Sequence, residues 1–336
     1  MFDREIGLDH PPLIVAEISC NHQGDIYRLL DLIATAHESG ADAVKIQTYI
    51  AAEMTLDAPK KHLMIQDGPW AGRYLYDLYK ENQLPLEWLP EIFGFAKNNN
   101  INLFSSVFGV ASLATLESVD CPVYKIASFE ANDPNFIELV RKQGKPLIVS
   151  TGLCSEDDIN RIYKTIDKEN TGLMHCVSAY PTKFMDANLS KIGELRYIYD
   201  IEVGFSDHTT EIDKSAIAAV AMGATVLEKH FKGCDTKSDD DFFSLNPYHF
   251  KTYAKTARET FESIKYRQVK DEEKNRQFRR SIYAMSTIKK GDKFNHSNIA
   301  VIRGPNGVAP HNYKFLLGRT AKHDYEYGDF IQETEL

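Results

Sequence analysis

The sequence contains no apolar run of the roughly 20 residues that a membrane-spanning helix requires. Its first residues, Met1 to Glu5, also lack the basic-then-apolar order of a secretory signal peptide. Basic side chains are in the minority, with 39 Lys and Arg against 48 Asp and Glu, which argues against a broad surface for nucleic acid or anionic membrane. We therefore expect neither partner, although a local group of lysines can still bind a small anion in an acidic protein.

Cysteine is scarce, and its pattern argues against a disulfide framework. The five cysteines are odd in number and scattered, and no two have CxxC spacing. We therefore expect a reduced, cytoplasmic protein in which most of these thiols are small buried hydrophobic groups. The residues are Cys20, Cys121, Cys154, Cys176 and Cys234.

The chain has 336 residues, 43% of them hydrophobic, which is enough for two domains or for one large barrel with an addition. Strand-like and helix-like segments alternate from residue 13 to about residue 230. This rhythm predicts the α/β class and a (β/α)8 TIM barrel. An open doubly wound sheet is the alternative, and it usually has fewer strands. The predicted strands are 13–18, 43–47, 101–105, 123–127, 146–150, 173–177, 201–205 and 225–231.

The composition changes after the barrel, which predicts a domain boundary. We expect a barrel domain over residues 1–267, a polar and charged linker over 268–280 and a small module over 281–336. The module has Gly-Asp turn signals at Gly291 and Gly328 and short β-like runs at 281–284, 299–301 and 330–332. A further irregularity, the stretch 51–84, is interpreted as an insertion over the barrel mouth. Its aromatic residues include Trp70, Tyr74, Tyr76 and Tyr79.

Histidines follow the last two predicted strands of the barrel, and charged residues accompany both. They are His208 and His230. Taken alone, each would more often be a helix cap or a core residue. Two imidazoles at the ends of neighbouring strands, with carboxylates nearby and open positions left over, are instead typical of a catalytic divalent metal site. The repeated setting favours the metal hypothesis.

Two lysines and several hydroxyl groups are also predicted at the carboxyl ends of barrel strands, where active groups lie in this fold. Lys45 and Lys125 suit the phosphate and carboxylate of one small molecule. A single lysine in such a place is about as often a surface charge, and either lysine could instead form an imine, as in some barrel aldolases. The accompanying serines are Ser106, Ser128, Ser150 and Ser206.

Seven motifs together resemble the sialic acid synthase family, and the resemblance covers essentially the whole chain. They are residues 16–18, 40–48, 124–128, 150–152, 180–182, 204–209 and 228–231. Members of this family condense phosphoenolpyruvate with an N-acetylated amino sugar and end in a small antifreeze-like (SAF) domain. The resemblance therefore implies a C–C bond-forming transferase with a TIM barrel and a SAF domain over residues 281–336.

Within the family, the chain most resembles the pseudaminic acid synthase branch, through residues 45–49, 68–70, 75–79 and 126–132. This branch implies 2,4-diacetamido-2,4,6-trideoxy-L-altrose as the sugar, and pseudaminic acid and phosphate as products. The alternative is N-acetylneuraminic or legionaminic acid synthesis from N-acetylmannosamine or another diacetamido hexose. A lysine-imine barrel aldolase is a second alternative, and a non-catalytic carbohydrate-binding or ice-binding protein is a third.

The resemblance also implies roles for particular side chains around the metal and the phosphate. His208 and His230 would bind a divalent ion, which could be Mn, Mg or Co. Glu17 would be a candidate acid or base near that ion and near the attacking carbon. The residues implied to bind phosphoenolpyruvate are Lys45, Ser106, Lys125, Ser128, Ser150 and Ser206.

The resemblance assigns the sugar to a further set of residues, Gln47, Tyr180 and Asp241. The family's usual Pro-Gly-Pro-Asp is absent here, and we align its aspartate with Asp241 within the run 239–244. Arg303 of the SAF domain resembles an arginine that reaches the partner subunit's barrel and touches the N-acyl group of the sugar. The resemblance therefore also implies a homodimer.

Overall fold

The computed structural model describes residues 1–2, 4–265 and 270–336. The chain divides into two compact units, of which the first is Met1–Lys265 and the second follows it and ends at Leu336. Residues 266–269 carry the predicted end of the barrel domain and the start of the predicted linker, and they lie outside the described residues. No helix in the described part of the chain has the length and apolarity to cross a membrane.

The first unit is a closed barrel of eight parallel strands in sequence order. Closure comes from the pairing of the first strand with the eighth, so the predicted TIM barrel is confirmed and an open sheet is excluded. The strands are β1 Leu13–Glu17, β2 Ala43–Thr48, β3 Leu103–Val107, β4 Tyr124–Ile126, β5 Leu147–Ser150, β6 Thr171–Cys176, β7 Val203–Asp207 and β8 Val226–His230.

Helices follow the strands and bury their apolar faces against the barrel, as the 3.6-residue spacing of their hydrophobic residues requires. Those of the first unit are α1 Ile26–Glu38, α2 Ala51–Met54, α3 Leu75–Asn82, α4 Leu89–Asn98, α5 Val110–Ser118, α6 Pro134–Arg141, α7 Glu156–Thr165, α8 Ser190–Tyr199, α9 Lys214–Ala221 and α10 Pro247–Ile264. The insertion 51–84 therefore contains two helices, α2 and α3.

Side-chain caps explain where two of these helices begin. The carboxylate of Asp133 accepts hydrogen bonds from the backbone N–H groups of Asn135 and Phe136, at 3.0 and 3.1 Å, and so begins α6. Ser155 and Asp158 form a reciprocal capping box at the start of α7. The sequence itself shows both patterns, an aspartate before Pro134 and a serine before three acidic residues, and each is typical of a helix start.

Two strands end two residues later than the apolar pattern predicts. β3 ends at Val107 rather than 105, and β7 ends at Asp207 rather than 205. Polar residues normally end a strand pattern, but in this barrel they continue the ladder and face inward, as Ser106 does beside Lys125. A shift of two residues keeps every side chain on its predicted face.

The second unit has its own small hydrophobic core and a two-stranded antiparallel sheet. Its strands are β9 Arg280–Ala284 and β10 Ile299–Arg303, and its helices are α11 Lys270–Lys274 and α12 Tyr313–Leu316. The third predicted β-like run, 330–332, contributes only an isolated bridge between Phe330 and Tyr283. The described part of the predicted linker contains α11 and a turn of 3-10 helix, Asn275–Phe278.

Successive residues of β7 and β8 point alternately into the barrel and toward the surrounding helices, and polar side chains occur on both faces. Asp207 and Lys229 face the surrounding helices, are fully buried, and form an ion pair with 3.2 Å between Nζ and Oδ2. Ser215 of α9 donates to the same carboxylate at 2.6 Å, and Lys229 also donates to the Thr209 carbonyl oxygen. This buried bridge joins the two strands that carry the histidines.

We predict that Asp207→Ala lowers the free energy of unfolding by about 3–5 kcal/mol, because it leaves the Lys229 ammonium buried without a counter-charge. Denaturant unfolding followed by circular dichroism measures the change. Asp120→Ala is the control, since it breaks an ion pair with Lys145 in which Asp120 is exposed, and it should change stability little. Equal losses in the two variants would contradict the prediction.

Candidate active site

A buried cluster of two lysines and two glutamates is formed by β1, β2, β4 and β8. Lys45 Nζ lies 2.8 Å from Glu17 Oε2 and 3.5 Å from Glu228 Oε1. Lys125 Nζ lies 3.2 Å from Glu228 Oε2. None of the four side chains is more than 4% exposed. Glu228 is therefore shared by both ammonium groups, and the predicted phosphate-binding lysines do lie together.

The charges in this cluster shift one another's pKa. Burial opposes ionisation of Glu228, but Lys125 and Lys45 outweigh it and hold the Glu228 pKa well below its ordinary value. Burial likewise opposes charge on Lys45, but the two glutamates raise its pKa. Burial prevails at Glu17, whose pKa is raised, and at Lys125, whose pKa is lowered. Such opposed shifts in a buried polar cluster are typical of catalysis.

The two predicted metal histidines lie side by side at the carboxyl ends of β7 and β8. Their ring centroids are 5.7 Å apart, and the ring planes make an angle of 68°. His208 Nδ1 lies 2.8 Å from the carbonyl oxygen of Val177, which it meets as a donor, so Nε2 carries the lone pair. His230 Nδ1 is buried and has no hydrogen-bond partner.

Both imidazoles are neutral at physiological pH, which is the form that binds metals. Burial lowers the pKa of His208 to about 4. Burial, together with His208 and Lys45, lowers the pKa of His230 well below its ordinary value. Metal–nitrogen bonds are about 2.0–2.1 Å long, so rings at this spacing can share one ion. In the described part of the chain, no set of three or more His, Cys, Asp or Glu side chains is arranged as a metal site.

Two of the predicted phosphate-binding serines are engaged by the charged cluster. Ser106 Oγ accepts a hydrogen bond from Lys45 Nζ at 2.7 Å. Ser206 Oγ donates to Glu228 Oε1 at 3.1 Å and also lies 3.4 Å from His208 Nε2. Ser206 therefore connects the charged cluster to the histidine pair, so the two predicted halves of the site form one site.

The other two serines help to form a cradle of hydroxyl groups at the ends of β4 to β6. Ser128 Oγ lies 2.8 Å from Cys176 Sγ. The hydroxyls of Ser150 and Ser178 are buried without any hydrogen-bond partner. A Cβ at Gly152 would lie only 2.5 Å from Ser178 Oγ and 2.7 Å from Ser128 Oγ, so only glycine lets these hydroxyls pack so closely against the backbone. Buried hydroxyls without a partner are donors that an anionic ligand could satisfy.

The predicted sugar ligands Gln47 and Tyr180 also lie at this mouth. Gln47 Nε2 donates to Glu17 Oε1 at 2.9 Å, on the carboxylate whose other oxygen meets Lys45. The ring of Tyr180 lies 4.4 Å from the ring of His208, centroid to centroid. Their contact with a sugar stays a prediction; Tyr180 touches the histidine pair, and Gln47 touches the charged cluster.

The structure places Asp240, rather than the aligned Asp241, beside the histidine pair. Asp240 Oδ2 lies 3.8 Å from His230 Nδ1. Asp241 begins a turn of 3-10 helix, and its carbonyl oxygen accepts from Lys232 Nζ at 2.6 Å. Arg303 lies in the second unit, at the exposed end of β10. The roles of Asp241 and Arg303 stay predictions, as does the homodimer.

The sequence reasoning assigned no role to Glu228, Gly152 or Ser178, although a signal for them was present. Alternate residues of a strand share a face. Glu228 is two residues from His230, Gly152 is two from Ser150, and Ser178 is two from the buried Cys176. Once one residue of each pair is assigned to the barrel interior, the other follows.

A further carboxyl, that of the partly buried Glu130, lies in the turn after β4. Oε2 of Glu130 is buried and has no hydrogen-bond partner. Burial raises its pKa to about 7, although Lys125 acts in the opposite direction. The folded protein therefore binds a proton at Glu130 more tightly than the unfolded chain does, whose carboxyl has a pKa near 4.5.

We predict that Glu130→Gln is stabilising above neutral pH. The protonated carboxyl contributes to the free energy of unfolding below about pH 4.5, and this contribution is lost as the pH rises to about 7. The loss amounts to at most roughly 3 kcal/mol. Glutamine does not titrate, so the variant has no such loss. The difference in free energy of unfolding between the variant and the natural chain, measured in urea, should therefore grow between pH 5 and pH 8. The exposed control Glu117→Gln should show no such growth, and a pH-independent difference for Glu130→Gln would contradict the prediction.

Comparison with known proteins gives a consistent result. The NeuB family model matches residues 32–268, and the SAF domain model matches residues 279–336. A pseudaminic acid synthase of Campylobacter jejuni subsp. jejuni serotype O:23/36 (strain 81-176) is 40% identical over 334 residues, 97% of each chain. A pseudaminic acid synthase of Helicobacter pylori (strain ATCC 700392 / 26695) is 36% identical over 319 residues, covering 93% of this chain and 94% of the relative.

The fold agrees with these sequence relatives. The crystal structure of an N-acetylneuraminic acid (sialic acid) synthetase from Leptospira borgpetersenii serovar Hardjo-bovis has a TM-score of 0.71 and 26% identity, over 82% of this chain and 93% of that one. The family and the SAF domain predicted from the motifs are thus confirmed, and the prediction of an enzyme is confirmed with them. The chain belongs to the NeuB family of synthases and carries a C-terminal SAF domain.

Proposed function

We propose that the chain is a metal-dependent synthase that condenses phosphoenolpyruvate with an N-acetylated amino sugar, giving a nonulosonic acid and phosphate. The observation that carries the proposal is the convergence of Lys45 and Lys125 with His208 and His230 at one end of the barrel. The lysines suit a small anion, and the neutral imidazoles suit a divalent ion beside a carbonyl. Ser206 connects the two pairs, because it contacts His208 and also Glu228, the carboxylate that both lysines share.

Phosphoenolpyruvate would bind between the lysines and the hydroxyl cradle. Lys45 and Lys125 supply two ammonium groups, and the unpartnered hydroxyls of Ser150 and Ser178 supply donors that are already desolvated. Gly152 allows the hydroxyls of Ser128 and Ser178 to lie close to the backbone and to each other. Because these groups are fixed by strands, the anion would be held without reorganisation of the site.

His208 and His230 would hold the divalent ion, for which Mn, Mg and Co are the candidates. When bound, such an ion acts as a Lewis acid that polarises the aldehyde oxygen of the open-chain sugar. Two features of the chain suit the two imidazole rings to binding the ion. Val177 fixes the orientation and tautomer of His208, and His230 presents a buried nitrogen without a partner.

In the proposed reaction, carbon 3 of phosphoenolpyruvate forms a bond to the aldehyde carbon. Water adds to carbon 2, and the C–O bond to the phosphoryl group breaks, which releases phosphate. The attacking water loses both protons, one to the aldehyde oxygen and one to the departing phosphate, and its oxygen becomes the ketone oxygen at carbon 2. Glu17, 2.8 Å from Lys45 and within the same buried cluster, is the candidate acid or base.

For the sugar, we propose 2,4-diacetamido-2,4,6-trideoxy-L-altrose, with pseudaminic acid as the product. Support comes from the pseudaminic acid synthases that are 36% and 40% identical over nearly the whole length. N-acetylmannosamine and a diacetamido hexose of the legionaminic series are the competing substrates, and they are therefore arms of the test.

The test measures phosphate release from phosphoenolpyruvate with each of these sugars, with and without a chelator. We expect release with the trideoxy sugar, loss on chelation and recovery when a divalent ion is restored. His230→Ala should lower turnover by at least about a hundredfold, since one remaining imidazole holds the ion poorly, and should bind Mn weakly in a direct titration. The exposed His37→Ala should do neither.

Several outcomes would contradict the proposal. Activity that survives chelation, or normal Mn binding by His230→Ala, would refute the metal site. A covalent adduct trapped by borohydride would instead favour a lysine imine on Lys45 or Lys125. Phosphate release with N-acetylmannosamine alone would keep the reaction class and correct the sugar.

Gly152→Ala should raise the KM for phosphoenolpyruvate about tenfold with a smaller effect on the KM for the sugar. The new methyl group would lie 2.5–2.7 Å from Ser178 Oγ, Cys176 Sγ and Ser128 Oγ and would push these cradle side chains out of position. Steady-state kinetics with each substrate varied in turn measures this. Gly94→Ala is the control, because no atom lies within 4 Å of a Cβ at that position in α4. An unchanged KM in Gly152→Ala would place the anion elsewhere.

A further inference from the structure

Four aromatic side chains form a continuous wall beside the histidine pair, which we call the aromatic wall: Trp70, Tyr180, Phe242 and Phe243. Phe243 packs edge-on against His230, with 4.6 Å between ring centroids. Tyr180 and Phe242 lie 5.3 and 5.0 Å from Phe243. Trp70 closes the wall at 5.9 Å from Tyr180 and 6.2 Å from Phe242.

The wall joins two segments that are far apart in sequence, the insertion 51–84 and the loop after β8. Asp239 of that loop fixes Trp70, because its carbonyl oxygen accepts from Trp70 Nε1 at 3.1 Å. Its carboxylate accepts from Arg73 at 2.8 Å and from Asn82 at 2.7 Å. The insertion is thus held by three hydrogen bonds to one residue of the opposite segment, and one of them comes from the indole itself.

The same hydrogen bonds leave the wall with little capacity to bind hydroxyl groups. The only polar hydrogen of Trp70 is already donated to Asp239, and the two phenylalanines have none. The hydroxyl of Tyr180 is the one polar atom that the four side chains can offer. A substrate hydroxyl pressed against this surface would lose water without gaining a partner, whereas a methyl group would not.

We propose that the aromatic wall, and Trp70 and Phe242 in particular, selects a sugar that presents a methyl group where common hexoses present a hydroxyl. The inference rests on the proposed function, because it assumes that the sugar lies beside His208 and His230. In that position the C6 methyl of a 6-deoxy sugar packs against the wall. Trp70 and Phe242 are specificity-determining residues and take no part in bond formation.

The expected size of this selection is limited. An apolar pocket rejects an added hydroxyl by no more than about a hundredfold, because the hydroxyl can partly retain its water. The wall should therefore favour the 6-deoxy sugar by about 10–100-fold over the analogue that differs only by a 6-hydroxyl. Residues that merely support folding would lower the use of both sugars together.

The experiment compares kcat/KM for 2,4-diacetamido-2,4,6-trideoxy-L-altrose and for its 6-hydroxy analogue, by phosphate release from the full-length protein. Trp70→Ala and Phe242→Ala should each reduce the preference about tenfold and leave the KM for phosphoenolpyruvate unchanged. Trp70→Phe should retain most of the preference, because it keeps an aromatic face. Tyr76→Ala is the matched control, since Tyr76 lies in the same insertion and its ring packs under Lys80, away from the wall.

The outcomes separate this inference from the proposed function. Natural protein that uses neither sugar contradicts the proposed function and this inference with it. Natural protein that uses both equally well contradicts the inference alone. So does a Trp70→Ala variant that loses both activities in equal proportion, or a Trp70→Phe variant that loses the preference as fully as Trp70→Ala.

Discussion

The shared carboxylate of Glu228 is the interaction on which the rest of the site depends. Two buried ammonium groups would repel each other across the barrel, and burial alone would drive protons off them. Glu228 lies between Lys45 and Lys125, and its negative charge favours the protonated form of both. Glu17 adds a second carboxyl group beside Lys45, so the cluster combines two acidic and two basic side chains before any substrate arrives.

The closed barrel makes such a concentration of charge possible because alternate residues divide into two environments. Along β7 and β8, the inward positions carry Ser206, Glu228 and His230, which are available to ligands. The outward positions carry Asp207 and Lys229, which neutralise each other under the helices. Adjacent residues of one strand thus have different roles: the inward side chain belongs to the site, and the outward side chain stabilises the fold.

Much of this organisation could be predicted from the sequence, and the failures have physical causes. Apolar periodicity and capping residues predict the eight strands and the starts of α6 and α7. Strand ends are missed where hydroxyl groups continue a ladder toward the barrel interior, as in β3. The loop after β8 is harder, because three consecutive aspartates give no local signal that distinguishes Asp239, Asp240 and Asp241. Only tertiary contacts assign Asp239 to Trp70 and Asp240 to His230.

The attachment of Trp70, Arg73 and Asn82 to Asp239 also bears on how this enzyme could be re-engineered. The insertion and the loop after β8 are two halves of a single structural element, although more than 150 residues separate them in each of these hydrogen bonds. Grafting either segment from a relative would leave donors without an acceptor, or the acceptor without its donors. Chimeras should therefore exchange both segments together.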